Sequence, residues 1–362
     1  MEAYQELVAT VLEEGSHKRT RTGVDTISSF MYAYELDVAD GFPLLTTKRM
    51  DGGRWDSIVH ELRWYLSGEE HIRTLREETG IWDDWADEEG RLPTAYGRFW
   101  RRFPLPEQAA RLPGEWWPDA EAPWLDEAAA YYDVSPADIR TAMDRWITTE
   151  GETTVFDQLA YVIDTLNGEH PFRPPDSRRL VVSAWHPANA AVSKLPPCHY
   201  TFVFNVENGK LNLHMTQRSG DVALGIPFNI AAYALLLRLV ARETDYAVGR
   251  FGHTIVDAHV YCGTDDRGGW YTDHLDELQA RLRSASTAED RRAVATWLVD
   301  VAPPETVPHT DHVPGLIEQL ARTPYDRPTV EIADKPIDEL AAADFELRDY
   351  ESHSSLRFAV AE

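Results

Sequence analysis

Cysteine is almost missing from this chain: two residues in 362, Cys198 and Cys262. So few exclude a disulfide framework and point to a reducing cytoplasm. Lysine is nearly as scarce, at five (Lys18, Lys48, Lys194, Lys210, Lys335), and the other basic residues are arginine. Asp and Glu number 61 against 35 basic residues, a formal charge of −26. Such a field repels phosphate backbones and argues against general nucleic-acid binding. No apolar run reaches the roughly 18 residues that a membrane span needs. The thirteen histidines have no ligand-like spacing, so no metal is expected. The first residues, MEAYQELVATVLEEG, are acidic and amphipathic, unlike a signal or transit peptide.

What is present patterns as a large globular chain, 43% hydrophobic and 11% aromatic, enough for a substantial core. Apolar spacing predicts helices over 2–14, 55–68 and 154–166. In the second of these, Glu61 lies at the edge of the buried stripe, partly buried and facing a cleft. β-Formers predict strands over 26–38, 178–185, 200–206 and 211–218, the last two joined by the hairpin turn ENGK. Residues 228–243 are apolar almost all round, the mark of a central buried helix. Two acidic stretches, about 101–150 and 263–325, break the pattern; the first looks like an insertion or accessory subdomain, the second irregular. The order predicts an α+β fold, a mixed β-sheet with helices packed around the central helix, as a single domain over 1–362.

The stretch KLPPCHYTFVF sets Cys198 behind Pro196 and Pro197, at the mouth of a strand. A buried cysteine is most often an inert small hydrophobe. A cation that lowers its pKa makes it a nucleophile, and Arg218 in QRSGD reaches it if the two strands pair. His199 should point to the opposite face of that strand, against a Cys–His dyad. Arginines at 21, 178, 179 and 218 are either surface ion-pairing residues or forks for a phosphate, joined by Ser219. Trp82, Trp85, Tyr96 and Trp100 form either core or the wall of a cleft that stacks a planar ring. Asn229 is either a helix N-cap or an amide facing a pyrimidine edge. His259 and Tyr261 share a strand face suited to a sugar hydroxyl.

Taken together, DGFPLLTTKR, HELRWYLSG, IWDDWADEEG, AYGRFWR, DSRRLVVSAW, LPPCH, QRSGDVALGIPFNIAAYALL and DAHVY resemble the folate-dependent thymidylate synthase family. The match runs in order over roughly 1–100, 150–262 and 327–362, and the acidic, lysine-poor composition resembles a haloarchaeal member. The resemblance implies reductive methylation of dUMP, with 5,10-methylenetetrahydrofolate as co-substrate. It implies Cys198 as the nucleophile at pyrimidine C6, and Glu61 with Asn229 supporting the enolate at O4. Tyr96 would serve C5 proton removal, and Trp82 would shield the methylene intermediate. Arg21, Arg218 and Ser219 would hold the phosphate with Arg178 and Arg179 of a neighbouring subunit, which makes a homodimer. Gly220 and Asp221 complete the nucleotide contacts, His259 and Tyr261 bind the 3′-hydroxyl, and Asp221, Trp82 and Ala361 face the folate. The chain departs from the family pattern at Gly220, Ala223, Glu362 and the Met50–Asp51 pair, which leaves a turn, a core volume, lid closure and polyglutamate affinity in question.

Three rivals compete: a pyrimidine-nucleotide hydroxymethyltransferase of the same superfamily, a cysteine hydrolase using Cys198 and His199, and a non-catalytic binding protein. Asn229 favours uracil over cytosine, and Trp82 favours reduction over trapping by water. The charge makes its own prediction. Screening shortens to about 3 Å in molar salt, so the fold should loosen at low KCl and recover above about molar KCl. A melting temperature independent of KCl would exclude salt adaptation.

Overall fold

The computed structural model describes residues 1–20, 23–92, 95–105, 123–151 and 153–360. Helix α1 (Glu2–Glu14) buries Tyr4, Leu7, Val8, Val11 and Leu12, the predicted stripe. Strands β1 (Ser16–Lys18) and β2 (Val24–Asp37) follow. Helix α2 (Gly53–Ser67) ends at Gly68 in the left-handed conformation, a common C-terminal stop. After a short helical turn, α3 (Arg73–Arg76), helix α4 (Tyr96–Arg101) crosses α2 so closely that Gly97 touches the Tyr65 backbone, leaving no room for a Cβ.

A second, smaller sheet with two helices lies within residues 103–105, 123–151 and 153–156. A three-stranded antiparallel sheet joins β3 (Phe103–Leu105), β4 (Ile147–Glu150) and β5 (Thr153–Phe156). Between them lie helices α5 (Pro123–Tyr132) and α6 (Pro136–Asp144), whose Ala129 and Ile139 pack with Phe172, apart from the main core. The helix expected over 154–166 is shorter: Thr153–Phe156 is strand, and α7 (Gln158–Leu166) starts where the Asp157 carboxylate accepts from the Ala160 N–H. The β-branched run TTV prefers the pleated surface to a helix.

The main sheet contains β6 (Val181–Ser183), β7 (His199–Glu207), β8 (Lys210–Gln217), the short β9 (Gly220–Asp221) and β10 (Ala247–Thr264). Its order is β1-β2-β10-β8-β7-β6, with β9 also on β10. β10 runs parallel to β8 and antiparallel to β2, so the sheet is mixed, as expected. The β7–β8 hairpin closes at Glu207↔Lys210, with Asn208 and Gly209 both at positive φ. That is the turn an Asn-Gly pair favours. Helix α8 (Pro187–Val192) lies between β6 and β7.

Helix α9 (Gly225–Glu243) is the centre of the fold. Ile230, Leu235, Leu236, Leu237, Leu239 and Val240 are fully buried, each worth about 1.5–3 kcal/mol. It is apolar and long enough to cross a membrane, yet the protein itself buries most of it. The stretch 263–325, expected to be irregular, is helical. It forms α10 (Asp265–Ser284), α11 (Ala288–Val301) and α12 (Val313–Leu320), which send Leu278, Leu298, Leu316 and Ile317 into the main core. Their exposed faces are so acidic that the apolar stripe is thin in the sequence. A two-stranded sheet of β11 (Thr329–Ile332) and β12 (Phe345–Arg348) closes the chain.

Gly220 does not loosen its turn. A Cβ there would lie 2.5 Å from Ile226 Cδ1 and 3.3 Å from Ile255 Cγ2, so neighbouring side chains already occupy the space. Gly220→Ala should therefore destabilise the protein by about 1–3 kcal/mol. Ile226→Val in the same chain should recover part of that loss, both read by equilibrium unfolding. Additive losses in the double variant would rule the packing account out.

Candidate active site

Arg218 organises the site. Its Nε donates to Pro197 O at 3.0 Å and its Nη2 to Pro196 O at 2.6 Å, and the same Nη2 lies 3.4 Å from Cys198 Sγ. The Arg218 N–H also donates to Cys198 O at 2.8 Å, so pairing at the ends of β7 and β8 brings the two residues together as expected. Prolines lack an N–H but keep their carbonyls, and one guanidinium takes both. The Cys198 N–H donates to the Tyr96 hydroxyl oxygen at 2.7 Å.

The expected lowering of the thiol pKa is not the net result. Burial pushes the Cys198 thiol up, while the Arg218 charge and a hydrogen bond with Tyr96 pull it back only in part.

His199 is buried and faces away from the sulfur. Its ring stacks on Tyr96 with centroids 3.8 Å apart, and Nδ1 pairs with the Tyr233 hydroxyl at 2.7 Å. Burial and the nearby His253 push its pKa down to about 3, so it is neutral and makes no dyad with Cys198.

Glu61 is buried and accepts from Trp82 Nε1 at 2.7 Å. Burial raises its pKa to about 7, against the pull of hydrogen bonds from Trp82 and Tyr65. The sequence placed it at a stripe edge; helix α4 and the 82–85 turn cover that edge. Trp82 meets the Tyr96 ring edge-on at 5.8 Å, and Trp82, Tyr96 and Trp100 are buried in the core.

Asn229 is not the N-cap of α9, which begins four residues earlier. Asp221 Oδ1 instead accepts from the Ala223 N–H at 2.8 Å, just ahead of the helix. The Asn229 amide donates to Gln217 Oε1 at 3.1 Å. Ser219 Oγ lies 3.5 Å from His259 Nδ1, and the His259 and Tyr261 rings meet edge-on at 5.1 Å. Ser219, His259 and Tyr261 are thus gathered as expected. Arg178 and Arg179 sit exposed before β6, with no ion-pair partner among the described residues and no contact with Cys198. Arg21, Ala361 and Glu362 lie outside the described residues.

Sequence reasoning missed Lys48, Gln217, His253 and His312. Lys48, one of five lysines and part of TTKR, is buried and donates to Ala223 O; burial lowers its pKa to about 7. With Arg54, His309, Phe228, Arg357 and Phe358 it lines a cavity of about 260 Å³. His312 Nε2 pairs with Ala359 O at 2.9 Å and holds the C-terminal segment there, beside Asp221. Ala223, where the family pattern has an aromatic, is wholly buried. Cations and apolar groups side by side suit an anionic ligand with a flat ring system. Among the described residues no three His, Cys, Asp or Glu side chains form a metal group.

Glu61 makes a testable contribution to stability. A carboxyl near pKa 7 in the folded chain and about 4.5 when unfolded binds more protons folded, so stability falls as pH rises through that window. Glu61→Gln keeps an acceptor for Trp82 and removes the ionisation. The variant should gain on the parent between pH 4.5 and 7, by at most about 3 kcal/mol. A difference in unfolding free energy that stays flat with pH would contradict the assignment.

The thymidylate synthase family model matches residues 2–362. The chain is 56% identical over 359 residues to a thymidylate synthase of Haloferax volcanii, covering 99% of this chain and 96% of that protein. A match over the whole length, around one cysteine gripped by arginine, leads to one conclusion: the chain belongs to the thymidylate synthase family, a methyltransferase.

Proposed function

We propose that this thymidylate synthase reductively methylates dUMP to dTMP, with 5,10-methylenetetrahydrofolate as co-substrate, through addition of the Cys198 thiolate to C6 of the pyrimidine. The observation that carries the proposal is the Arg218 guanidinium, bridging the Pro196 and Pro197 carbonyls and lying 3.4 Å from Cys198 Sγ. The folate supplies the one-carbon unit and the hydride and leaves as dihydrofolate. The apolar and cationic lining around Lys48, Arg54 and Phe358 fits a flat ring with an anionic tail, Asp221 and Trp82 face that ring, and Ala361 belongs to the segment that closes over it.

In this mechanism Cys198 forms the S–C6 bond, and the electron pair of the C5=C6 bond moves onto O4. Glu61, poised near pKa 7, stabilises that oxygen by hydrogen bonding or proton donation. Asn229 reads N3–H and O4. C5 is now nucleophilic and takes up the carbon. Tyr96 has a phenol that burial holds well above its ordinary pKa, so it serves the C5 proton as a relay to water and not as a free base. Loss of that proton expels the folate nitrogen from the bridging carbon and leaves an exocyclic methylene on C5, with Cys198 still bonded at C6. Trp82 screens it from water until hydride from the folate arrives, when C5=C6 re-forms and the sulfur leaves. Arg21, Arg218 and Ser219, beside Gly220 and Asp221, bind the phosphate side of the nucleotide. His259 and Tyr261 bind the 3′-hydroxyl.

Arg178 and Arg179 reach the site of a second copy, which makes the enzyme a homodimer. Two features support this: both guanidiniums lack an acidic partner among the described residues, and Phe30, Met31 and Val256 form an exposed apolar stretch across paired strands β2 and β10. The enzyme works in a salt-rich reducing cytoplasm, supported by its charge of −26 and two free cysteines.

Cys198→Ser should bind dUMP normally and lose turnover, by on the order of 10³-fold or more, followed by dihydrofolate absorbance at molar KCl. A serine variant turning over at the parental rate would overturn the mechanism. Hydroxymethyl-dUMP without dihydrofolate would assign the hydroxymethyltransferase reaction instead.

A further inference from the structure

A chain of polar groups runs from Asn229 along one face of the sheet, across β8 and β10 to β2. Asn229 Nδ2 donates to Gln217 Oε1 at 3.1 Å, and the same oxygen lies 3.1 Å from His253 Nε2. On its other side, His253 Nδ1 lies 2.8 Å from the Tyr34 hydroxyl. His253 and Tyr34 are paired residues on β10 and β2, with ring centroids 5.2 Å apart. His253 is wholly buried and Gln217 nearly so.

The donors in this chain are not free choices. A carboxamide oxygen only accepts, so the His253 Nε2 facing Gln217 carries a proton. Burial and the neighbouring His214 keep His253 neutral, with a pKa down to about 3. A neutral imidazole with its proton on Nε2 has a bare Nδ1, which takes the Tyr34 O–H. The opposite direction of every bond would require the phenol oxygen to accept. Its lone pair is delocalised into the ring, so it donates better than it accepts.

The direction matters at Asn229. An asparagine amide offers one donor and one acceptor along its edge, and rotation by half a turn exchanges them. With Nδ2 held on Gln217, Oδ1 accepts and the second Nδ2 hydrogen donates toward the cleft. Uracil presents N3–H and O4, which match that order; cytosine presents a bare N3 and an amine, which match the reverse. We propose that Tyr34 and His253 are positioning residues that set the direction of the Asn229 amide through Gln217, and so the preference for uracil over cytosine. This rests on the reading of Asn229 as the side chain facing the pyrimidine edge.

Binding of dUMP and dCMP measured by calorimetry in molar KCl tests it. Tyr34→Phe removes only the hydroxyl that gives the chain its direction. Its dUMP preference over dCMP should fall by up to about tenfold, the worth of one net hydrogen bond. His253→Leu should lower the ratio as much, and nitrogen-15 spectra of the parent should show the His253 proton on Nε2 with Nδ1 bare. An unchanged ratio in folded Tyr34→Phe, or a proton on Nδ1, would overturn the proposal even if His253→Leu fails to fold. Asn229→Ala separates the two levels. If it leaves the dUMP:dCMP ratio unchanged, the reading of Asn229 itself fails; if it collapses the ratio while Tyr34→Phe does not, only the relay is wrong.

Discussion

One guanidinium holds this site together. Arg218 spends its donors on two proline carbonyls and still reaches a sulfur. A lysine could offer the charge without the planar fork that engages both carbonyls at once. Pro196 and Pro197 restrict the backbone ahead of Cys198, so the thiol is placed by a rigid approach and a rigid donor. The arginine is itself placed by pairing of the ends of β7 and β8. Strand register, proline stiffness and charge therefore converge on a single atom.

Around that atom the dominant electrostatic term is desolvation. Burial raises Glu61 and lowers Lys48, in both cases to about 7, and it keeps His199 and His253 neutral. The same burial raises the Cys198 thiol. A site tuned this way holds two groups, Glu61 and Lys48, that change protonation near neutral pH, which suits proton traffic across a pyrimidine. Neutral histidines also serve as fixed donors and acceptors, and that is how a residue as remote as Tyr34 comes to bear on Asn229.

The acidic surface sits uneasily beside this interior. Among the described residues many arginines are answered by carboxylates, as Arg101 is by Asp157 and Asp338, Arg145 by Glu169, and the buried Arg267 by Asp311. Arg178 and Arg179, like Arg19 and Arg357, are exposed and have no ion-pair partner among the described residues, on a chain with a net charge of −26. The helices of 265–320 show the other side of the same adaptation. They carry their acids outward and still contribute Leu278, Leu298 and Leu316 to the common core.

Periodicity was enough to determine the first helix, the Asn-Gly hairpin, the buried central helix and the mixed α+β class, because each is a local pattern of apolar spacing or turn chemistry. The proximity of Cys198 to Arg218 was legible too, since a hairpin of known turn aligns its strand ends. The helices of 265–320 were not, because their apolar stripes are thin and acids dominate the composition. Nor was the strand at 153–156, whose pairing partners lie outside its own stretch of chain. What only the tertiary structure decided is where water is excluded. Desolvation depends on atoms brought in from every part of the sequence: Trp82 over Glu61, Phe358 beside Lys48, Tyr34 against His253. The sequence names the ionisable groups, but only the packing around them sets which are charged.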